Sequence, residues 1–276
     1  MTRRILVLTG YFLRRLLFSL VGVIYVILAL VYWAIFFPPG QGTPDAGNYL
    51  VIIGAFGAGM TFLATLTVAS RAYRAENYPV IVRLPSRVEY VTAVFSSALL
   101  FAFMLQLLVA LLAMIRGPQI NLGFILEIPP VWISINILAG MLALHASDLV
   151  ASGWSRVVIF GMLAILLIGR NLAERVAAGL AALVSNMSSF FYSRQWLDIA
   201  NGFGQISSWL HGNGQETIEQ TLGVVFWPFR ALSSAIFAGF FTPTQALAPA
   251  VILLYATILF LIAADLFATK DLELSE

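Results

Sequence analysis

The 276-residue chain has no cysteine, which removes disulfides, thiolate nucleophiles and thiolate metal sites together. It has little charge. Only 10 % of its residues are Asp, Glu, Lys or Arg against 61 % hydrophobic, too little polar surface to cover a water-soluble body of this size. Lysine is nearly absent, since Lys270 is the only one, so no Gly-x-x-x-x-Gly-Lys-Ser/Thr phosphate loop exists in the chain. Histidine is scarce too. His145 and His211 fall on opposite sides in the topology below, which argues against a protein metal centre. A net charge of +2 points to no nucleic-acid partner. No catalytic, cofactor-binding or metal-binding residue is predicted.

What the chain does have is apolar length. Residues 16 to 37, 49 to 69, 90 to 115 and 128 to 147 each run without Asp, Glu, Lys or Arg. Each is long enough to cross a hydrocarbon layer of about 30 Å at about 1.5 Å per helical residue. The fold expected is an all-α integral membrane domain over 1–276 with about six spans, near 16–37, 49–70, 89–115, 129–149, 156–173 and 246–267. The fifth is the weakest, with 13 uncharged residues (157 to 169) between Arg156 and Arg170, and it crosses only if those arginines snorkel. Otherwise it is an interfacial helix. Ahead of the first span, Ile5, Leu8, Phe12 and Leu16 share a helical face, which predicts a surface-lying helix over residues 3 to 15 that the chain retains.

Arginine sets the orientation. Arg3, Arg4, Arg14 and Arg15 precede span one and Arg71, Arg74, Arg83 and Arg87 fill the segment after span two, which puts these segments and both termini in the cytoplasm. The Pro/Gly-marked stretches 38–48 and 116–130 are then outside turns. Between 174 and 241 the spacing of Val176, Leu180, Leu183, Val184 and Met187, then Trp196, Ile199, Phe203, Ile206 and Leu210, predicts interfacial helices. Residues 222 to 241, interrupted by Pro228 and Arg230, predict a re-entrant or interfacial hairpin before the last span.

Inside the spans, Gln106 and Asn136 read as interhelical hydrogen-bonders and Gly54, Gly57 and Gly59 as a small-residue packing face. His145 and Asp148 form an ionisable pair near one face, read either as a functional site or as a structural bond. Asp265 marks the inner boundary of the last span. An intramembrane serine protease built on Ser155 and His145 is disfavoured, because Ser155 sits in a turn beside Arg156 with no oxyanion-hole glycine cluster.

The segment 71–88 carries the most information. Ser86 and Glu89 form a capping box, Ser86 accepting from the Glu89 N–H while the Glu89 carboxylate reaches back to the Ser86 N–H. Pro85 blocks helix continuation from upstream. A short ordered knee is therefore expected, not a loose loop.

Leu84-Pro85-Ser86-Arg87-Val88-Glu89-Tyr90, placed between the second and third of about six spans, resembles the Leu-Pro-x-Ser-Arg-x-Glu-Tyr pattern of type-2 ABC exporter permeases, with one residue fewer before Arg87. The layout is similar too, from the N-terminal interfacial helix to the charged end Lys270-Asp271-Leu272-Glu273. The resemblance implies a permease subunit of the cytoplasmic (inner) membrane of a prokaryote. It would pair with a second copy or homologue and export a substrate by alternating access. ATP and Mg would be bound by separate cytoplasmic ATPase subunits that grip the knee, and Tyr78, Ile81, Arg83, Leu84 and Arg87 are the docking residues this implies. The alternative is a non-transporting scaffold or assembly subunit of a larger membrane complex.

Overall fold

The computed structural model describes residues 2–38, 46–115, 122–150, 172–211, 217, 220 and 223–270. It is 88 % helical, with no strand among the described residues. The chain divides into two compact units, Met1–Phe160 with Ala231–Glu276, and Gly161–Arg230. In the larger unit four helical segments are long and apolar enough to cross a membrane: Ala46–Ala72, Arg87–Met114, Ile128–Ala146 and Gln245–Thr269. A bent pair, Thr2–Leu17 with Leu20–Phe36, makes up to five if the pair counts as one. Nearly all of the fifth predicted span, most of the predicted outside turn 38–48 and Ser155 lie outside the described residues, whereas the second predicted turn, 116–130, is helical from Leu122 onward.

Helices α1 (Thr2–Leu17) and α2 (Leu20–Phe36) meet at 71°. The elbow has a local cause. Ser19 is extended, its Oγ donates to the Leu16 carbonyl at 2.7 Å and accepts from the Gly22 N–H at 3.2 Å, closing one helix and starting the next. A Cβ at position 22 would stand 2.3 Å from the Leu16 carbonyl oxygen, so only glycine fits there. Helix α2 therefore begins at Leu20, four residues after the uncharged run does, because charge absence alone does not register a cap.

Helix α3 (Ala46–Ala72) is the centre of the larger unit and packs on α5 (Arg87–Met114) and α6 (Leu122–Ala146). Between α3 and α5 lie a 3-10 turn (Ala75–Asn77) and the six-residue α4 (Tyr78–Arg83). Pro129 and Pro130 sit inside α6 and do not end it. Proline has no N–H, so the i→i−4 bonds to the carbonyls of residues 125 and 126 are not made. The last helix, α10 (Ala248–Thr269), packs on α6 and α5.

In the smaller unit α7 (Leu172–Ser193) and α8 (Leu197–His211) form a tight hairpin. Its seam is small and aromatic: Ala181, Ser188 and Phe191 on α7 meet Ala200, Phe203 and Ser207 on α8. Ser188 Oγ donates to the Ala200 carbonyl and Ser207 Oγ to the Ala181 carbonyl, which needs the backbones close together. Of the apolar stripe read from the sequence, Leu180, Leu183, Met187, Trp196, Ile199 and Ile206 are exposed, while Phe203 stacks in the seam and Leu210 is buried. Helix α9 (Trp227–Ala238) has 12 residues, about 18 Å, too short to cross a bilayer, and Gly239 at φ 75° ends it.

Two substitutions test the local geometry. Gly22→Ala forces a Cβ against the Leu16 carbonyl and is expected to cost about 1–3 kcal/mol, read as a fall in the thermal unfolding midpoint of the detergent-solubilised chain. Gln195 closes α7 with φ 62°, its N–H bonding the Tyr192 carbonyl while the Trp196 N–H bonds the Phe191 carbonyl. Gln195→Gly relieves that conformation and should raise hairpin stability by about 1 kcal/mol in the same measurement.

Candidate functional site

The knee follows from unsatisfied backbone. A helix leaves its last carbonyls without donors, and those of α3 are met from outside it. Asn77 Nδ2 donates to the Arg71 carbonyl at 2.9 Å, and the Tyr90 hydroxyl, buried at the start of α5, donates to the Ala72 carbonyl at 2.8 Å. The chain runs extended at Arg74, turns through Ala75–Asn77 and enters α4, where Pro79 lies in the first turn and its missing N–H is not needed. Leu84 and Ser86 are extended around Pro85.

A six-residue helix lying on a bundle must bury one side. Tyr78 and Ile81, three residues apart and apolar, go underneath, Ile81 to 2 % exposure. This corrects the docking set drawn from the resemblance: Tyr78 and Ile81 belong to the core. Leu84 is half-buried against the same core, and Arg87 is engaged elsewhere. Of the five, Arg83 alone is exposed, and beside it stand Val80 and Val82, the latter 77 % exposed, which the sequence reading missed. Hydrophobicity does not tell Val82 from Ile81; only the helical register does.

The capping box is half made. Ser86 Oγ accepts at 3.3 Å from the Val88 N–H and not from that of Glu89. The Glu89 carboxylate does not return to Ser86. It is 3 % exposed and its Oε2 lies 3.3 Å from Arg4 Nε of α1, an ion pair without hydrogen-bond geometry, so that Oε2 has no hydrogen-bond partner. An ion pair outcompetes a single neutral N–H for a buried carboxylate. A second pair, Arg15 to Glu76 at 2.6 Å, joins α1 to the knee, and the bond to Glu76 raises the Arg15 pKa further above its ordinary value.

The C-terminal end of α10 closes the assembly. Arg87 Nη1 donates to the Lys270 carbonyl at 2.6 Å and to the Ala268 carbonyl at 3.3 Å, a cation at the negative end of a helix. Lys270 Nζ donates to the Asp148 carbonyl at 2.5 Å and lies 4.5 Å from the Tyr73 ring centroid. Phe12 packs edge-on to Tyr90 at 5.6 Å and Tyr90 stacks on Phe267 at 6.1 Å, so α1, α5 and α10 share one aromatic column. His145 and Asp148 have separate partners. The His145 Nε2–H donates to the Leu259 carbonyl of α10 at 2.8 Å, while Asp148 offers its main-chain carbonyl to Lys270.

Deeper in the larger unit, Gln106 Nε2 donates to the Ile53 carbonyl and Asn136 Nδ2 to Gln106 Oε1 at 2.5 Å, linking α3, α5 and α6 as the sequence predicts. Gly57 makes room for the Gln106 amide and Gly54 for Trp132, but Gly59 faces open space and is not part of the packing face. Among the described residues no group of three or more His, Asp or Glu could hold a metal ion.

Comparison with family models, curated proteins and solved structures found no match to this chain. The arrangement stands on its own geometry, as a charged junction in which α1, the knee, α5 and α10 are tied at one end.

Loss of Arg4 leaves Glu89 buried and uncompensated. Arg4→Gln is expected to cost about 1–2 kcal/mol, below the 3–5 of a fully buried pair because Arg4 is half exposed. Glu89→Gln should cost less. In a double-mutant cycle of unfolding free energies, a non-additive result is expected, and simple additivity would show that the two residues are not coupled.

Proposed function

We propose that the chain is the membrane permease subunit of an ABC-type exporter. It would cross the cytoplasmic membrane about six times with both termini inside, pair with a second permease subunit, and take its energy from ATP hydrolysed by a separate subunit. The observation that carries this reading is the knee: a short helix in a segment whose flanks, Asn77 and Tyr90, are hydrogen-bonded to the end of α3, and that presents Val80, Val82 and Arg83 outward beside the Arg-rich end of the bundle. An exposed valine next to an arginine on an ordered element suits a protein partner. A held knee also transmits a push, because Tyr78 and Ile81 key α4 into the same core as α3 and α5.

The second reading, a non-transporting scaffold subunit, is favoured by the junction itself. Two ion pairs and a capped α10 tie the knee to its neighbours, as a static anchor would require.

The substitutions Val82→Asp and Arg83→Glu separate these readings from each other. Both side chains are exposed, so folding should be unaffected. With membrane insertion verified by protease protection, loss of a copurifying ATPase by tenfold or more, about 1.4 kcal/mol or greater, is the expected result. Unchanged copurification ends the permease reading.

A further inference from the structure

The four arginines of α1 are two adjacent pairs, Arg3-Arg4 and Arg14-Arg15, eleven residues and so about three helical turns apart. The structure treats the members of each pair differently. Arg4 and Arg15 reach Glu89 and Glu76. Arg3 and Arg14 are exposed and have no acidic partner among the described residues; Arg14 lies over the Phe18 ring, 6.0 Å from its centroid. With Val7, Gly10 and Phe18 they form one strip at spacings of four, three, four and four, opposite the buried Thr9, Phe12 and Leu16.

That strip is both cationic and apolar. Phe18 is 83 % exposed, Leu6 66 % and Val7 65 %. Water alone is a poor neighbour for such side chains, and a purely apolar phase is a poor one for the arginines. At the elbow the character changes: past Phe18 the exposed surface continues as Leu20, Val23, Ile24 and Ile27 of α2, over about 10 Å with no charge. A phosphate beside Arg14 with hydrocarbon running along α2 matches this order of chemistry.

We propose that α1 and the first two turns of α2 bind anionic phospholipids, Arg3 and Arg14 each engaging a separate headgroup and the Phe18–Ile27 surface lying along an acyl chain of the lipid at Arg14. The proposal rests on the reading that the long apolar helices sit in a bilayer, and adds to it a selectivity for lipid charge. The pairing of Arg4 and Arg15 with the protein's own acids leaves Arg3 and Arg14 free to make that selection.

The chain has no cysteine and a Cβ at Gly10 meets nothing within 4 Å, so a Gly10→Cys chain can carry an environment-sensitive fluorophore in the middle of the strip. It would be reconstituted in nanodiscs of phosphatidylcholine alone or with about 30 % phosphatidylglycerol. With phosphatidylglycerol the emission should shift to the blue and quenching by aqueous iodide should slow. Adding Arg3→Gln and Arg14→Gln should abolish that difference, Arg3→Lys with Arg14→Lys should keep it, and Arg194→Gln should leave it unchanged. The proposal is overturned if emission is the same in both lipids, if the double Gln variant keeps the shift, or if inorganic phosphate reproduces it in phosphatidylcholine discs. Flotation of proteoliposomes is the parallel readout: a wild-type chain that does not float with vesicles defeats the bilayer reading itself, and this proposal with it.

Discussion

Orphaned main-chain carbonyls at helix ends are the constraint around which one end of the larger unit is organised. A helix that stops inside a packed structure must find donors for its last turn, or lose about 1–3 kcal/mol for each buried group left unmet. Here the donors come from far along the chain. Tyr90 serves Ala72, Asn77 serves Arg71, Arg87 serves Ala268 and Lys270, and Lys270 in turn serves Asp148. Each bond fixes the position of the element that supplies the donor. The knee is ordered because its two flanks are committed in this way, and α4 then has no freedom over which face it buries.

The same logic operates at depth with fewer groups. Gln106 bridges an α3 carbonyl and the Asn136 amide, and the absent side chain of Gly57 is the space it occupies. Tyr49 and Trp132 add bonds to the Ala110 and Leu50 carbonyls, so α3 is held to α5 and α6 by polar contacts as well as by packing. Such contacts fix helix register, which apolar side chains on a smooth helix face specify poorly. Asn136 Oδ1 is buried without a partner, a polar group that the packing alone does not explain.

Much of the fold was legible because it depends on local pattern. Runs without charge located α3, α5, α6 and α10 to within a few residues, except that α6 begins upstream of its prolines. Pro85 and Ser86 placed the start of α5. The site was less legible because its bonds are long-range: Arg4 and Glu89 are 85 positions apart, Arg87 and Lys270 183. Nothing in the neighbourhood of Glu89 says that an arginine near the N-terminus will take its carboxylate in place of the Ser86 N–H. The one available hint was arithmetic, since Glu76 and Glu89 are the only acids between residues 46 and 126 and the chain supplies arginines in excess. The hairpin seam was not legible for a related reason. Large apolar residues mark amphipathicity, but a close seam between two helices selects Ala and Ser.

Lys270 has one more consequence. It is the only lysine of the chain, and its amine is held between a tyrosine ring and a main-chain carbonyl at the end of α10. Apart from the α-amino group, an amine-selective acylating reagent would find a single primary amine, and that one must release its hydrogen bond before it can react. Its labelling rate therefore reports how often the last helix lets go of the turn at Asp148.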